Sequence, residues 1–181
     1  MVACPAHQPL SAPPDIWLRR LLANHLAGSA RFPAAMGLSP DQYQALARRV
    51  GLDPGSRGAV LQQQDALLAL LARTRQQECQ ALGDWLAQYM CAGAEPLNRL
   101  LAVAALGFNH LWQDLGLASR GELRELMQAC FPALVAMNDR NMRWKKFFYR
   151  QVCLAQTGEL TCRSPSCDGC CEYTLCFAPD D

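Results

Sequence analysis

The sequence predicts an all-α protein, a helical bundle followed by a C-terminal irregular, cysteine-rich tail. Three observations carry this prediction. Apolar residues, with Leu and Ala foremost, recur at helical spacing through most of the 181-residue chain. Helix start and stop signals punctuate those runs. No segment alternates apolar and polar residues over a useful strand length, and no internal repeat is present.

The elements follow in order. Residues 1–14 read as a flexible, Pro-rich lead-in. A first helix is expected from Asp15, a good N-cap, through Ile16-Trp17-Leu18 and Leu21-Leu22, and Gly28 ends it. Ser39-Pro40-Asp41-Gln42 supplies a cap residue, a proline at the first helical position and a Gln at the third, so a second helix runs from there to Gly51. Residues 53–58, Asp-Pro-Gly-Ser-Arg-Gly, form a turn. From Ala59 to about Met90 the pattern is helical, with Gly83 as the expected break. Cys91-Ala-Gly-Ala is a connection. Pro96 suits the first turn of a helix that reaches Leu106 and continues towards Gln113, with Gly116 as its stop. Ser119 and Glu122 form another capping box. That helix runs to about Phe131, Pro132 kinks it or starts a new one, and the last helix runs to about Cys153. The expected division is therefore a lead-in (1–14), a helical domain (15–153) and a metal-binding tail (154–181).

The bulk numbers exclude several classes. A net charge of +1 gives no global field for nucleic acid or an acidic surface. The longest apolar run, Leu100 to Phe108, is far short of the roughly 20 residues that span a bilayer. The N-terminus lacks a basic segment, and Pro5, Pro9, Pro13 and Pro14 interrupt any apolar leader. A cytoplasmic location is expected, and thiols stay reduced there.

The ten cysteines are unevenly placed. Cys153, Cys162, Cys167, Cys170, Cys171 and Cys176 crowd the C-terminal end. Clustered thiols in a reducing compartment read as metal ligands or redox groups before structural bridges. At its simplest the tail is Cys162-x4-Cys167-x2-Cys170-x5-Cys176. Four thiolates at that density can wrap one compact cofactor, and Pro165 and Gly169 bend the loop so that the sulfurs converge. The first three spacings match the plant-type ferredoxin loop that ligates iron–sulfur clusters. Zinc ribbons use two short knuckles separated by a longer arm, which is missing here. An iron–sulfur-type cluster is the first reading, a structural zinc site the second, and redox-active or unligated thiols the third. Adjacent side chains diverge in extended chain, so Cys170 and Cys171 do not both ligate in simple fashion. Cys170 is the preferred ligand. Cys171 and Cys153 stand as additional metal-ligand candidates, with burial the ordinary fate of a helical cysteine such as Cys153.

Residues 140–150, Arg-Asn-Met-Arg-Trp-Lys-Lys-Phe-Phe-Tyr-Arg, carry five positive charges and no negative one. Basic residues mixed with aromatics can mark single-stranded nucleic-acid binding. Helical geometry gives another account: Trp144, Phe147, Phe148 and Val152 form one buried stripe, and Arg143, Lys146 and Arg150 form a cationic face. That face is either solvated or a site that attracts anions, including an anionic metal source. Asn109-His110-Leu111-Trp112-Gln113-Asp114 is polar for a helix end, and His110 is a ligand, a base or a hydrogen-bonded structural histidine. Gly51, Gly55 and Gly58 lack the Lys-Ser/Thr ending of a phosphate loop.

Three motifs in one order, Asn109–Leu117, Asn141–Gln151 and the Cys-x4-Cys-x2-Cys-x5-Cys tail, resemble the NifQ family of nitrogen-fixation proteins. The resemblance is specific from about residue 97 onwards. It implies a role in biosynthesis of the iron–molybdenum cofactor of nitrogenase, as a non-enzymatic carrier of a molybdenum–iron–sulfur cluster, or its iron–sulfur precursor, that donates molybdenum. It implies the nitrogenase cofactor-assembly scaffold and the nitrogenase reductase as partners, with no membrane and no nucleic acid. On that pattern Cys162, Cys167, Cys170 and Cys176 are the cluster ligands, and Cys171 departs from it. The competing class is a zinc-stabilised nucleic-acid or protein-binding module that uses the basic helix.

Overall fold

The computed structural model describes residues 13–55 and 59–158, and the four expected cluster ligands, with Cys171, lie outside them. Among the described residues the secondary structure is helical, with no strand. The helices are α1 (Pro14–Ala27), α2 (Pro40–Val50), α3 (Ala59–Thr74), α4 (Gln76–Ala87), α5 (Leu97–Ala105), α6 (Leu111–Asp114), α7 (Arg120–Cys130), α8 (Pro132–Met137) and α9 (Trp144–Thr157), with a 3-10 turn at Ala34–Gly37. None of them is long and apolar enough to cross a membrane.

Local chemistry explains most boundaries. Ser39 Oγ accepts from the Gln42 N–H, and Gln42 Oε1 accepts from the Ser39 N–H, which closes the expected capping box of α2. Gly28 and Gly51 end α1 and α2 in the left-handed conformation. At α7, Ser39's counterpart Ser119 caps the Glu122 N–H, but the Glu122 carboxylate reaches the Ala118 N–H instead of closing the box. α1 starts at Pro14, so Asp15 lies inside its first turn and pairs with Arg49 of α2. Arg49 also donates to the carbonyls of Gly93 and Glu95 and so pins the loop before α5.

Three expected continuous helices are broken. The break between α3 and α4 falls at Arg75, not at Gly83. The Arg75 guanidinium is drawn to Glu78, to the Leu106 carbonyl and to Tyr149 of α9. Gly83 sits inside α4, where its bare backbone lets α5 approach: an added Cβ would lie 3.7 Å from the Ala102 Cβ. The helix from Pro96 ends at Ala105 rather than continuing, and α6 is a separate turn. The segment after Pro132 is also two helices. Buried Asn138 accepts from the Met142 N–H and donates to the Met142 carbonyl, both at 2.8 Å, and Asn141 is left-handed. This side chain replaces helical hydrogen bonds with a tight turn. Arg120 of α7 holds that turn through the Asn141 carbonyl at 2.6 Å.

One core joins these elements. α4 packs on α5 and α9, α1 packs on α2 and α7, and α6 lies between α5 and α7. Trp144, Phe147 and Phe148 are buried in this core, and Val152 is partly buried against it. The aromatic stripe expected on the basic helix is therefore a packing face, with Trp144 and Phe148 rings 5.7 Å apart.

Candidate functional site

The site grows from two turns. The first, residues 106–110, links α5 to α6. The second, residues 138–143, links α8 to α9. They meet through one buried ion pair. Asp114, at the end of α6, is fully buried. Its Oδ2 accepts from Lys145 Nζ at 2.5 Å, and its Oδ1 accepts from Asn109 Nδ2 at 2.9 Å. Lys145 also donates to the Gly107 carbonyl at 2.9 Å. Gly107 is required by this approach, since a Cβ there would lie 2.4 Å from Asp114 Oδ2. The Asp114 carbonyl accepts from the Arg31 N–H, which ties the pair to the loop after α1. Burial pushes the Lys145 ammonium below the ordinary lysine value, and the carboxylate of Asp114 pulls against that shift.

Above this pair lies a small cavity of about 120 Å³, lined by Asn109, His110, Trp112, Arg143, Lys145 and Lys146 together with apolar walls. No Asp or Glu is among its lining residues. The start of α9 forms one wall, and no side chain caps its free N–H groups. The Trp112 indole N–H is buried with no acceptor among the described residues.

The structure thus sorts the expected cationic face. Arg143 precedes α9 and shares the cavity with Lys146 in its first turn, while Arg150, one turn further on, is not part of the lining. His110 joins them from the start of α6. Lys145 and Asp114 were not singled out from the sequence as site residues. The available signal was their polarity between apolar neighbours, Leu111 and Leu115 around Asp114 and Trp144 and Phe147 around Lys145. His25 is buried, edge-on to Phe32 and Tyr43 at 6.0 and 6.1 Å, in an aromatic packing role.

The thiols divide by place. Cys130 is fully buried, and burial pushes its thiol up to about 12. Cys79 is half-buried and shifted the same way by burial. Cys153 is half-buried on α9, which runs on to Thr157 rather than ending there. No three His, Cys, Asp or Glu side chains converge as a metal site among the described residues.

A family model for NifQ matches residues 17–178, a span that takes in the helical body and all of Cys162, Cys167, Cys170, Cys171 and Cys176. The chain belongs to the NifQ family. It is 56% identical to Protein NifQ of Klebsiella pneumoniae over 166 residues, which is 91% of this chain and 99% of that one. It is 36% identical to Protein NifQ of Azotobacter vinelandii over 174 residues, 91% of this chain and 88% of the other. With Protein NifQ of Rhodobacter capsulatus it shares 48% identity over 105 residues, 58% of each chain. No solved structure matches the chain significantly. Membership of NifQ joins the two turns, the cavity between them and the cysteine tail within one family span.

Proposed function

We propose that this NifQ-family protein holds a molybdenum–iron–sulfur cluster, or its iron–sulfur precursor, on Cys162, Cys167, Cys170 and Cys176, and donates molybdenum to biosynthesis of the nitrogenase iron–molybdenum cofactor. It acts as a carrier, and the cluster is its cargo. The observation that carries this reading is the family match through residue 178, which includes the whole Cys-x4-Cys-x2-Cys-x5-Cys pattern. Donor chemistry agrees with it. Soft thiolates suit iron–sulfur units, and four of them can ligate a cubane fully or hold three irons with one corner left for molybdenum. Cys171 and Cys153 are the reserve donors. The cofactor-assembly scaffold and the nitrogenase reductase are the expected recipients and partners.

The alternative of a nucleic-acid module is weakened by the basic helix itself. Trp144, Phe147 and Phe148 are committed to the core and offer no face for base stacking.

The test is anaerobic purification with analysis of iron, sulfide, molybdenum and zinc in wild type and Cys167→Ala. Iron, sulfide and molybdenum in the wild type, lost together in the variant, are expected. Zinc alone, or equal metal in both proteins, contradicts the proposal.

A further inference from the structure

We infer that the cavity between the start of α6 and the start of α9 is a binding site for a tetrahedral oxyanion, with Arg143, Lys146 and His110 as its recognising side chains. The inference that its occupant is the molybdenum source, as molybdate, rests on the function proposed above; the oxyanion chemistry itself does not.

Size is the first argument. The cavity is about 120 Å³. A water molecule's share of liquid volume is about 30 Å³, so the space suits a group of four water-sized oxygens about one centre. It is too small for a nucleotide or an iron–sulfur cubane with its ligands. Charge is the second. Arg143, Lys145 and Lys146 bring cationic side chains to the lining, and no carboxylate lines it. Asp114 neutralises Lys145 from beneath. Arg143 and Lys146 supply the charge facing a dianion, and charge-assisted bonds of this kind are the strong ones. Donor geometry is the third. The N–H groups at the start of α9 have no capping side chain. The buried Trp112 N–H needs an acceptor. An oxyanion accepts from all of these and donates to none.

The ion pair beneath the cavity keeps the two turns in register. Asp114 holds both Lys145 and Asn109, so the walls formed by α6 and α9 are fixed relative to one another.

Chain reach connects this site to the tail. The site lies at the start of α9, and the tail leaves its other end, 14 residues away. At about 1.5 Å per residue that is about 21 Å. Cys167 is nine residues beyond Gly158, a tether of at most about 31 Å when fully extended. The contour length therefore allows thiolates from Cys167 onwards to meet an anion held in the cavity. The inference concerns binding alone and includes no redox step.

The experiment is equilibrium dialysis of the full-length chain against molybdate in a low-chloride buffer, with bound molybdenum measured by mass spectrometry. Four proteins are compared: wild type, Arg143→Gln/Lys146→Gln, Arg150→Gln, and a variant with Cys162, Cys167, Cys170 and Cys176 all changed to Ser. About one equivalent should bind to wild type, Arg150→Gln and the serine variant, with affinity at least tenfold lower in Arg143→Gln/Lys146→Gln. Circular dichroism checks folding, and Lys146→Gln alone, at a half-buried position, replaces the double variant if that fails to fold. Unchanged binding in the pocket variant overturns the inference. So does loss of binding in the serine variant, which would give the anion to the thiolates. Because the serine variant holds no cluster, failure of the carrier reading leaves the result at the pocket legible. Competition separates the sources: tungstate displacing molybdate better than sulfate or phosphate supports the molybdenum assignment, and stronger binding of phosphate overturns it.

Discussion

Replacing Lys145 with Met should destabilise the protein by about 3–5 kcal/mol, because it leaves the Asp114 carboxylate buried without its cation. The magnitude follows from the geometry. Asp114 has no exposed side-chain surface, and Lys145 Nζ lies 2.5 Å from its Oδ2. At an effective dielectric of about 20, the gross attraction at that distance is roughly 7 kcal/mol. Desolvation of both groups offsets part of this in the wild type. The variant keeps the desolvation of Asp114 but loses the attraction. One hydrogen bond from Asn109 remains, at 2.9 Å, which does not neutralise the charge. Urea unfolding should show the loss as a lower midpoint with an unchanged slope. In a thermal scan it should appear as a fall of about 6–20 °C, taking about 2–4 °C per kcal/mol for a chain of this size. The paired variant Asp114→Asn/Lys145→Met removes both charges and keeps an acceptor for Asn109. It should return to within about 2 kcal/mol of wild type, which gives a coupling energy of about 2 kcal/mol or more. A single-variant loss under about 1 kcal/mol, or a double variant that loses the sum of the two single changes, would refute the reasoning.

Other expectations follow from the same structure. Asn138→Ala removes two buried 2.8 Å hydrogen bonds that shape the turn before α9, so it should cost about 2–3 kcal/mol and weaken oxyanion binding, read by urea unfolding and dialysis together; full retention of both would show that the turn does not need this side chain. Gly116→Ala places a Cβ in a left-handed residue (φ +69°) at 2.9 Å from the Ala30 nitrogen, and a loss of at least about 2 kcal/mol in thermal unfolding is expected. Glu78 is held below its ordinary value of 4.5 chiefly by the hydrogen bond from Arg75. Its folded value is the lower one, so its stabilisation is present above the unfolded value and is lost as pH falls through the folded one. Glu78→Gln should therefore flatten the acid limb of the stability curve below about pH 4.5, and an identical limb in the variant would argue against the pairing. Cys130, with its thiol at about 12, should carry about one part in 10⁴ thiolate at pH 8, so iodoacetamide should leave it unlabelled in the folded protein while labelling it after unfolding.

The caps and the amphipathic faces were legible in the sequence because they are local. Ser39 with Gln42, Gly28, Gly51 and the stripe of Trp144, Phe147 and Phe148 all state their roles within one or two turns of chain. The breaks were less legible. Arg75 interrupts a helical pattern because its partners include Leu106 and Tyr149, which are remote in sequence. Asn138 breaks another through a reciprocal bond to Met142 that needs the turn already formed. The left-handed pair Ala35 and Met36 follows no residue preference, and the full burial of Met36 anchors it instead. For the site, the sequence supplied Arg143, Lys146 and His110 as separate candidates on two distant segments. Their meeting depends on Asp114 and Lys145, a contact across 31 positions that no spacing rule contains. Arg150 shares a helical face with Lys146 but falls outside the cavity, because the lining follows the first turn of α9 and not its whole length.

The most direct test of the carrier account is X-ray absorption at the molybdenum edge on anaerobically loaded protein. Sulfur and iron neighbours around molybdenum in the wild type, replaced by oxygen neighbours alone when Cys162, Cys167, Cys170 and Cys176 are Ser, are the predicted result. Oxygen neighbours alone in both proteins would contradict a thiolate-held molybdenum–iron–sulfur cargo.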